Sequence, residues 1–284
     1  MRAQGSPPPQ RAVLVTGASS GIGFAVAKRL AALGYTVFAG ARAEGEGRGA
    51  ATANVVPVTL DVTSEDSIAR ARAALMQSLP PGGLAGVVNN AGIMVSGPLE
   101  HVSPAALLRQ LEVNVVGVVA VTQAFLPLLR QASGRIVNIG STSGRVASPF
   151  TGPYCAAKFA LEAITTVWRE ELGPSGVSVH CVDPGVIGTP LWDKVSAAED
   201  ALHRGLAEDG RRRYGETLER RSNLLRQLSR RGASPDEVCE AVVHALSSPR
   251  PKRRYVVGFD AKVRLAAARL MPDRLRFWVA RRTA

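Results

Sequence analysis

A doubly wound α/β fold, with helices on both faces of a central sheet, is predicted by three features of the chain. Short apolar runs recur along most of its length, each followed by residues with helical spacing. The first run, Ala12–Thr16, stops at Gly17-Ala18-Ser19-Ser20-Gly21-Ile22-Gly23, after which Ile22, Val26, Leu30 and Leu33 keep a helical period. Several later runs end in small polar residues and glycine, at the strand edge where ligands sit in open parallel sheets. At 284 residues and 46% hydrophobic, the chain is of ordinary size for one such domain.

In the first unit, strand, glycine loop and helix follow one another, the context that gives such a loop meaning. Gly17 permits a tight turn, Gly21 lets the backbone approach a pyrophosphate, and Gly23 allows the helix to pack closely on the strand. The helix N-terminus supplies amides to the anion. A second strand, 36–40, ends at Ala41-Arg42, where an NAD enzyme commonly places a carboxylate on the ribose hydroxyls. Arg42 offers instead a guanidinium for a 2′-phosphate, which favours NADP(H), or it is a loop residue near Glu44 and Glu46.

A third strand, 55–60, precedes Asp61-Val62-Thr63. Asp61 either accepts a hydrogen bond from adenine or serves a turn, and Thr63 or Ser64 caps a helix that begins near Glu65. A fourth strand, 85–88, runs into Asn89-Asn90-Ala91-Gly92. The helix that starts over 105–111 carries Asn114 inside an apolar run, where an amide needs hydrogen-bond partners. Asn114, Thr122, Gln123 and Pro127 interrupt the run 113–129, which reads as a buried helix and not a membrane span.

A fifth strand, Arg135–Ile139, ends at Gly140-Ser141-Thr142-Ser143. The next helix bears Tyr154 and Lys158, which lie four apart on one face, so that the ammonium stands beside the phenol and favours phenolate. Such a pair suits proton transfer nearer neutral pH, although the spacing alone also fits a solvated helix face. A sixth strand, 177–182, leads to Asp183-Pro184-Gly185-Val186-Ile187-Gly188-Thr189. Beyond a long, arginine-rich helical region at about 190–231, Ser234 caps a helix running to about Leu246, with Pro235 in its first turn and Glu237 completing a capping box. A seventh strand spans 255–258.

Together these motifs resemble the short-chain dehydrogenase/reductase family over roughly residues 11–260. Thr16-Gly17-x-x-x-Gly21-x-Gly23, Asn89-Asn90-Ala91-Gly92, Asn114, Ser141, Tyr154-x-x-x-Lys158 and Pro184-Gly185 occur in the family's order and at its spacing. The phrase from Tyr154 to Glu162 is similar to the branch containing 17β-hydroxysteroid dehydrogenase type 1 and the retinol dehydrogenases, which implies a lipophilic carbonyl or alcohol substrate. The resemblance implies a Rossmann fold with a seven-stranded, mostly parallel sheet and a helical substrate lid at about 190–231.

It further implies Tyr154 as general acid and base, Ser141 orienting the substrate oxygen, and Lys158 lowering the Tyr154 pKa while holding the nicotinamide ribose. Asn114 falls at the family's relay position, where a kinked helix binds a water that links the lysine to solvent. Cofactor contacts carry over to Gly17, Ser19, Ser20, Gly21, Ile22 and Gly23 at the pyrophosphate, and to Asp61 and Val62 at adenine. Asn90, Ala91 and Gly92 fall along the ribose, and Pro184, Gly185, Ile187 and Thr189 at the carboxamide end. Some NADP-dependent members also carry a basic residue in the glycine loop. Here Ser20 stands there, so the NADP(H) expectation rests on Arg42. Leu191 and Trp192 wall the substrate pocket opposite Ala147, Ser148, Pro149 and Phe150, or Trp192 and Trp168 are core aromatics. Two rival readings stay open: a ketoacyl thioester reductase acting on an acidic carrier, and a non-catalytic dinucleotide-binding regulator, whose usual sign is loss of the tyrosine, lysine or serine.

The net charge of +12 is unevenly placed: residues 1–210 hold 16 Lys/Arg against 16 Asp/Glu, and 211–284 hold 19 against 7. The excess points to an anionic partner, a membrane surface or an acidic carrier, or it is a solvated basic face. Without aromatic interleaving it does not read as a nucleic-acid surface. Three cysteines without paired spacing and four histidines without ligand spacing predict reduced thiols, a cytoplasmic setting and no metal. Residues 1–10 read as a disordered leader without the apolar core of a signal peptide. In the tail, 261–284, Leu275, Trp278 and Val279 share a helix face beyond Pro272, with Arg274, Arg281 and Arg282 nearby. That face suits peripheral contact with an anionic membrane, a homodimer or homotetramer contact, or packing on the lid.

Overall fold

The computed structural model describes residues 11–43 and 54–270; the expected leader, Glu44, Glu46 and the tail pattern from Pro272 to Arg282 lie outside them. Strands β1 (Ala12–Thr16), β2 (Thr36–Ala41), β3 (Val55–Thr59), β4 (Gly86–Asn89), β5 (Arg135–Ile139), β6 (Ser178–Pro184) and β7 (Arg254–Val257) form one sheet, in the order β3-β2-β1-β4-β5-β6-β7. Every pairing in it is parallel, where the sequence predicted mostly so. β1 shows the reason: all five residues are buried, with Val13 and Val15 facing one core and Ala12 and Leu14 the other, so the strand has no solvent side.

Helices α1 (Gly21–Ala32) and α8 (Asp236–Ser247) cover the first face through Val26, Leu30, Val238 and Val242. On the second face, α2 (Glu65–Ser78) and α4 (Gly117–Gln131) contribute Leu75, Val121, Phe125 and Leu129. Helix α3 (Pro104–Leu111) enters α4 through a π-helical turn, Glu112–Val116. The whole stretch Pro104–Gln131 is long and apolar enough to cross a membrane, and its fully buried Val121 and Phe125 pack into the second core. Helix α5 (Gly152–Leu172) precedes β6, α6 (Leu191–Gly205) and α7 (Glu208–Arg231) follow it, and α9 (Phe259–Leu270) follows β7.

Strand ends differ from the sequence reading where pairing continues past the apolar run. β2 extends to Ala41, opposite Thr59, and β6 to Pro184, opposite Val257. Ser64 caps α2, accepting from Ser67 N at 3.2 Å. The start of α8 departs from expectation: Pro235 occupies the cap, and Ser234 Oγ accepts from Asp236 N at 3.2 Å while donating to the Asp236 carboxylate.

β1 and β4 are neighbours, yet the chain continues from them to opposite halves of the sheet, so their carboxyl ends frame the crevice where ligands bind in such sheets. Packing is tightest there at Gly23, where an added Cβ would run into Asn90 Nδ2 and the Gly17 carbonyl. Gly23→Ala is therefore expected to cost about 1–3 kcal/mol, read as a lower urea midpoint. An unchanged midpoint would contradict this close packing.

Candidate active site

The crevice is held by two side chains that grip main chain. Thr16 Oγ1 accepts from Asn90 N and Ala91 N, both at 3.0 Å, and Asn90 Nδ2 donates to the carbonyls of Thr16 and Gly17 at 2.9 and 3.1 Å. Asn90 Nδ2 thus clasps the glycine loop to the end of β4. Gly17 has φ +64° and lies so close to Ala91 that a Cβ would sit 2.8 Å from its Cα, which leaves the position to glycine. No side chain caps α1 at Ser20, so its first-turn amides remain for an anion. That uncapped helix above a glycine cradle fits a dinucleotide pyrophosphate.

At the end of β3, burial pushes the Asp61 carboxyl up. Hydrogen bonds from Thr63 N (2.9 Å) and Thr63 Oγ1 (2.7 Å), with the charges of Arg109 and Arg42, more than reverse this and hold it below its ordinary value. Asp61 therefore serves the turn and also places a carboxylate between two arginines.

Across β4, Asn114 stands in the π-helical turn, 1% exposed, with Oδ1 accepting from Ile93 N at 2.9 Å and Nδ2 donating to Ile93 O at 3.0 Å. Fully buried Gln110 repeats the device on Ile93 O and Val95 N. At the end of β5, Ser141 Oγ accepts from Ser143 N at 3.1 Å and is hydrogen-bonded to Tyr154. Lys158, one turn along α5 from Tyr154, donates to Ile139 O at 2.7 Å, its Nζ 5.7 Å from the centre of the tyrosine ring.

The glycine loop, Asp61, Asn90, Asn114, Ser141, Tyr154 and Lys158 line one cavity of about 410 Å³. Every catalytic and cofactor-binding residue predicted from the sequence lines it except Gly23, which is buried beneath the loop. Leu191 and Trp192 form part of its wall, and Trp192 Nε1 donates to Ile187 O at 2.6 Å. Trp168 packs on the second core. Residues 147–150 do not line the cavity; Phe150 turns instead to Arg221 and Tyr214 on α7. Sequence reasoning missed α9. Its Asp260 accepts from Val186 N at 2.9 Å, and its Arg264 donates to Val146 O at 3.0 Å and Ser148 Oγ at 2.8 Å, so one helix ties down both loops beside Ser141 and Pro184. No local signal announces contacts more than 70 residues apart.

Burial governs the protonation of the central pair. It pushes the Tyr154 hydroxyl up to about 12, against the Ser141 hydrogen bond and with the help of Cys155 and Asp183, so the phenol is held as a proton donor. The expected lowering by Lys158 is not found: burial, which penalises phenolate, dominates, and the opposing effect comes from the Ser141 hydrogen bond. Burial also brings the Lys158 ammonium down to about 8, partly opposed by Cys181 and Asp183.

The chain matches the family model described as short chain dehydrogenase over residues 11–200. It is 37% identical over 258 residues to the 3-amino-tetrahydro-pyrrolizinone reductase of Xenorhabdus hominickii, covering 89% of this chain and 88% of that protein. To human 17-beta-hydroxysteroid dehydrogenase type 6 it is 33% identical, covering 95% and 88%. A short chain dehydrogenase from Burkholderia cenocepacia in complex with NADP superposes with TM-score 0.70 at 26% identity, over 95% of this chain and 96% of that one. A 3-ketoacyl-(acyl-carrier-protein) reductase from Brucella melitensis complexed with NADH does so at 0.71 and 25%, over 88% and 98%.

The burial of Lys158 has a measurable consequence. The folded chain releases this proton near pH 8, whereas an unfolded lysine keeps it to about 10.5. Between those values the unfolded state holds the extra proton, so raising pH favours folding. Wild type is expected to gain stability relative to Lys158→Met as pH rises through that window, in urea midpoints; a difference that does not vary with pH would contradict the burial.

Proposed function

The chain belongs to the short-chain dehydrogenase family, and from that premise we propose that it interconverts a carbonyl and an alcohol on a lipophilic substrate, using NADP(H), with Tyr154 as general acid and base. The observation that carries this reading is the single cavity in which the hydroxyls of Ser141 and Tyr154 meet beside buried Lys158. The glycine loop lines the same cavity.

Gly17, Ser19, Ser20, Gly21 and Ile22 hold the pyrophosphate, Arg42 the 2′-phosphate, and Asp61 and Val62 the adenine. Asn90, Ala91 and Gly92 follow the ribose, and Pro184, Gly185, Ile187 and Thr189 the carboxamide. Gly23 acts from beneath, by letting the loop close. Bound there, the nicotinamide supplies hydride for reduction or accepts it for oxidation. Ser141 orients the substrate oxygen, Tyr154 gives it a proton, and Lys158 holds the ribose and steadies the charge left on the phenol. Asn114, on the cavity wall, ties the π-helical turn to Ile93 and serves the relay position.

Arg42 and the NADP-bound Burkholderia structure support NADP(H). Ile93, Met94, Val186, Leu191, Trp192 and Val195 on the wall, with a steroid dehydrogenase among the relatives, support a lipophilic substrate under α6 and α7 as its lid. Exposed arginines on α7 such as Arg212 and Arg220 favour a second reading, a ketoacyl thioester on an acidic carrier. Exposed Leu108, Val116, Phe159 and Val167 support a homodimer or homotetramer, and exposed Phe259 and Leu270 on α9 a peripheral membrane contact. Three buried free cysteines support a reducing, cytoplasmic setting.

Steroids, retinoids, simple ketones and ketoacyl thioesters assayed by NADPH absorbance separate the readings: turnover of the lipophilic carbonyls supports this one, and turnover of thioesters alone overturns its substrate class. Tyr154→Phe is expected to lower the rate by about 10²–10⁴ with NADPH still bound, and wild-type turnover in that variant would refute the mechanism. Arg42→Leu is expected to weaken NADPH by about 10–100-fold in fluorescence titration and to leave NADH unchanged. Equal affinities of wild type for the two cofactors would refute the assignment of Arg42.

A further inference from the structure

Phe150 has φ +63°, a left-handed conformation that an aromatic residue adopts only where its surroundings enforce it. Two groups of the loop after β4 hold its carbonyl: Gly97 N at 2.7 Å and Ser96 Oγ at 2.9 Å. The lid holds the rest. Ser96 Oγ also meets Glu199 Oε1 of α6, a carboxylate with 0% exposure, so its one proton is shared between that oxygen and the Phe150 carbonyl. From α7, Arg221 Nη2 reaches the same carboxylate at 3.3 Å, and its guanidinium lies 4.9 Å above the Phe150 ring. Tyr214, two turns earlier on one face of α7, meets that ring edge-on at 6.1 Å. Immediately beyond Phe150, Thr151 stands at the cap position of α5 without a side-chain capping bond, and Tyr154 follows in the first turn.

We propose that Glu199 and Arg221 are positioning residues: from the two lid helices they clamp Ser96 and Phe150, and through the strained Phe150 backbone they set the start of the helix that carries Tyr154. The inference rests on Tyr154 being the proton donor and adds how a docked lid aligns it. Stability alone does not account for the pair. Glu199 Oε2 and Arg221 Nε have no hydrogen-bond partner among the described residues, and a half-satisfied buried ion pair is a poor source of stability compared with apolar packing. What it provides is one fixed geometry that links lid, β4 loop and α5.

The test uses the full chain as wild type, Arg221→Met, Phe150→Gly and the double variant. Hydrogen exchange is read by mass spectrometry without substrate, and kcat, KM and NADPH Kd are measured with a turned-over carbonyl compound. Arg221→Met is expected to speed exchange of amides 150–158 by about tenfold. It should lower kcat by about 10–100-fold while leaving KM and NADPH Kd within about twofold. Glycine takes a positive φ without cost, so in the Phe150→Gly background Arg221→Met is expected to change neither exchange at 150–158 nor kcat. Faster exchange confined to α6 and α7 would overturn the proposal, as would an equal loss of kcat in both backgrounds. Should Arg221→Met not fold, Glu199→Gln, which keeps the shape, takes its place. Because exchange needs no turnover, it decides the clamp even where the oxidoreductase reading fails.

Discussion

Lys158 is buried with its ammonium on the Ile139 carbonyl, and much of the site follows from what that burial demands. A buried cation needs an acceptor and a nearby negative charge. β5 supplies the acceptor at its last residue, and Asp183 at the end of β6 supplies the charge. Gly140 is required between them, since an added Cβ would run into the Asp183 carboxylate. Asp183 is itself paired with Arg254 of β7, which also grips Glu162, one turn beyond Lys158 on α5. The ion pair thus ties α5 to the two strands behind it. Glu162, Cys181 and Asp183 have the donor types of a metal site, and Arg254 pairs with both carboxylates, so the cluster reads as an internal electrostatic brace.

The two sides of the cavity are built differently. On one side the walls are strand ends and glycines, clasped by Thr16 and Asn90, so their positions follow from the sheet. On the other side, α6 contributes side chains such as Trp192 and α9 contributes Arg264, joined by polar contacts to the loops that follow β6 and β5. Rigid main chain suits a common ligand such as a dinucleotide, and side chains on separate helices suit a substrate that varies between relatives. In the reading advanced here, reaction class resides on the first side and substrate choice on the second.

That division also explains what was legible in the sequence. Strands announce themselves by apolar runs, and the glycine loop, Ser141 and the Tyr154–Lys158 spacing lie within short windows, so the cavity's lining on that side is found without coordinates. Boundaries slipped where pairing outlasts hydrophobicity, as at Ala41 and Pro184. Phe150 was expected on the substrate wall because it is apolar and precedes the tyrosine, but its partners, Tyr214 and Arg221, come from α7 more than 60 residues away. Arg264 and Glu199 were invisible for the same reason. Arg264 meets Val146, and Glu199 meets Ser96, more than 100 residues away, and neither belongs to a local pattern. The expected lowering of the Tyr154 pKa by Lys158 failed because helical spacing reports proximity, whereas the depth of burial that dominates the shift is a property of the assembled fold.

The central claim is that this cavity exchanges hydride between NADP(H) and a carbonyl carbon. NADPH deuterated at C4 of the nicotinamide, incubated with the full-length protein and a panel of ketones and aldehydes, tests it most directly through mass spectrometry of the alcohols. An alcohol carrying deuterium on its carbinol carbon is the predicted product. Alcohol formed without deuterium from either C4 epimer, or no alcohol from any carbonyl compound in the panel, would contradict it.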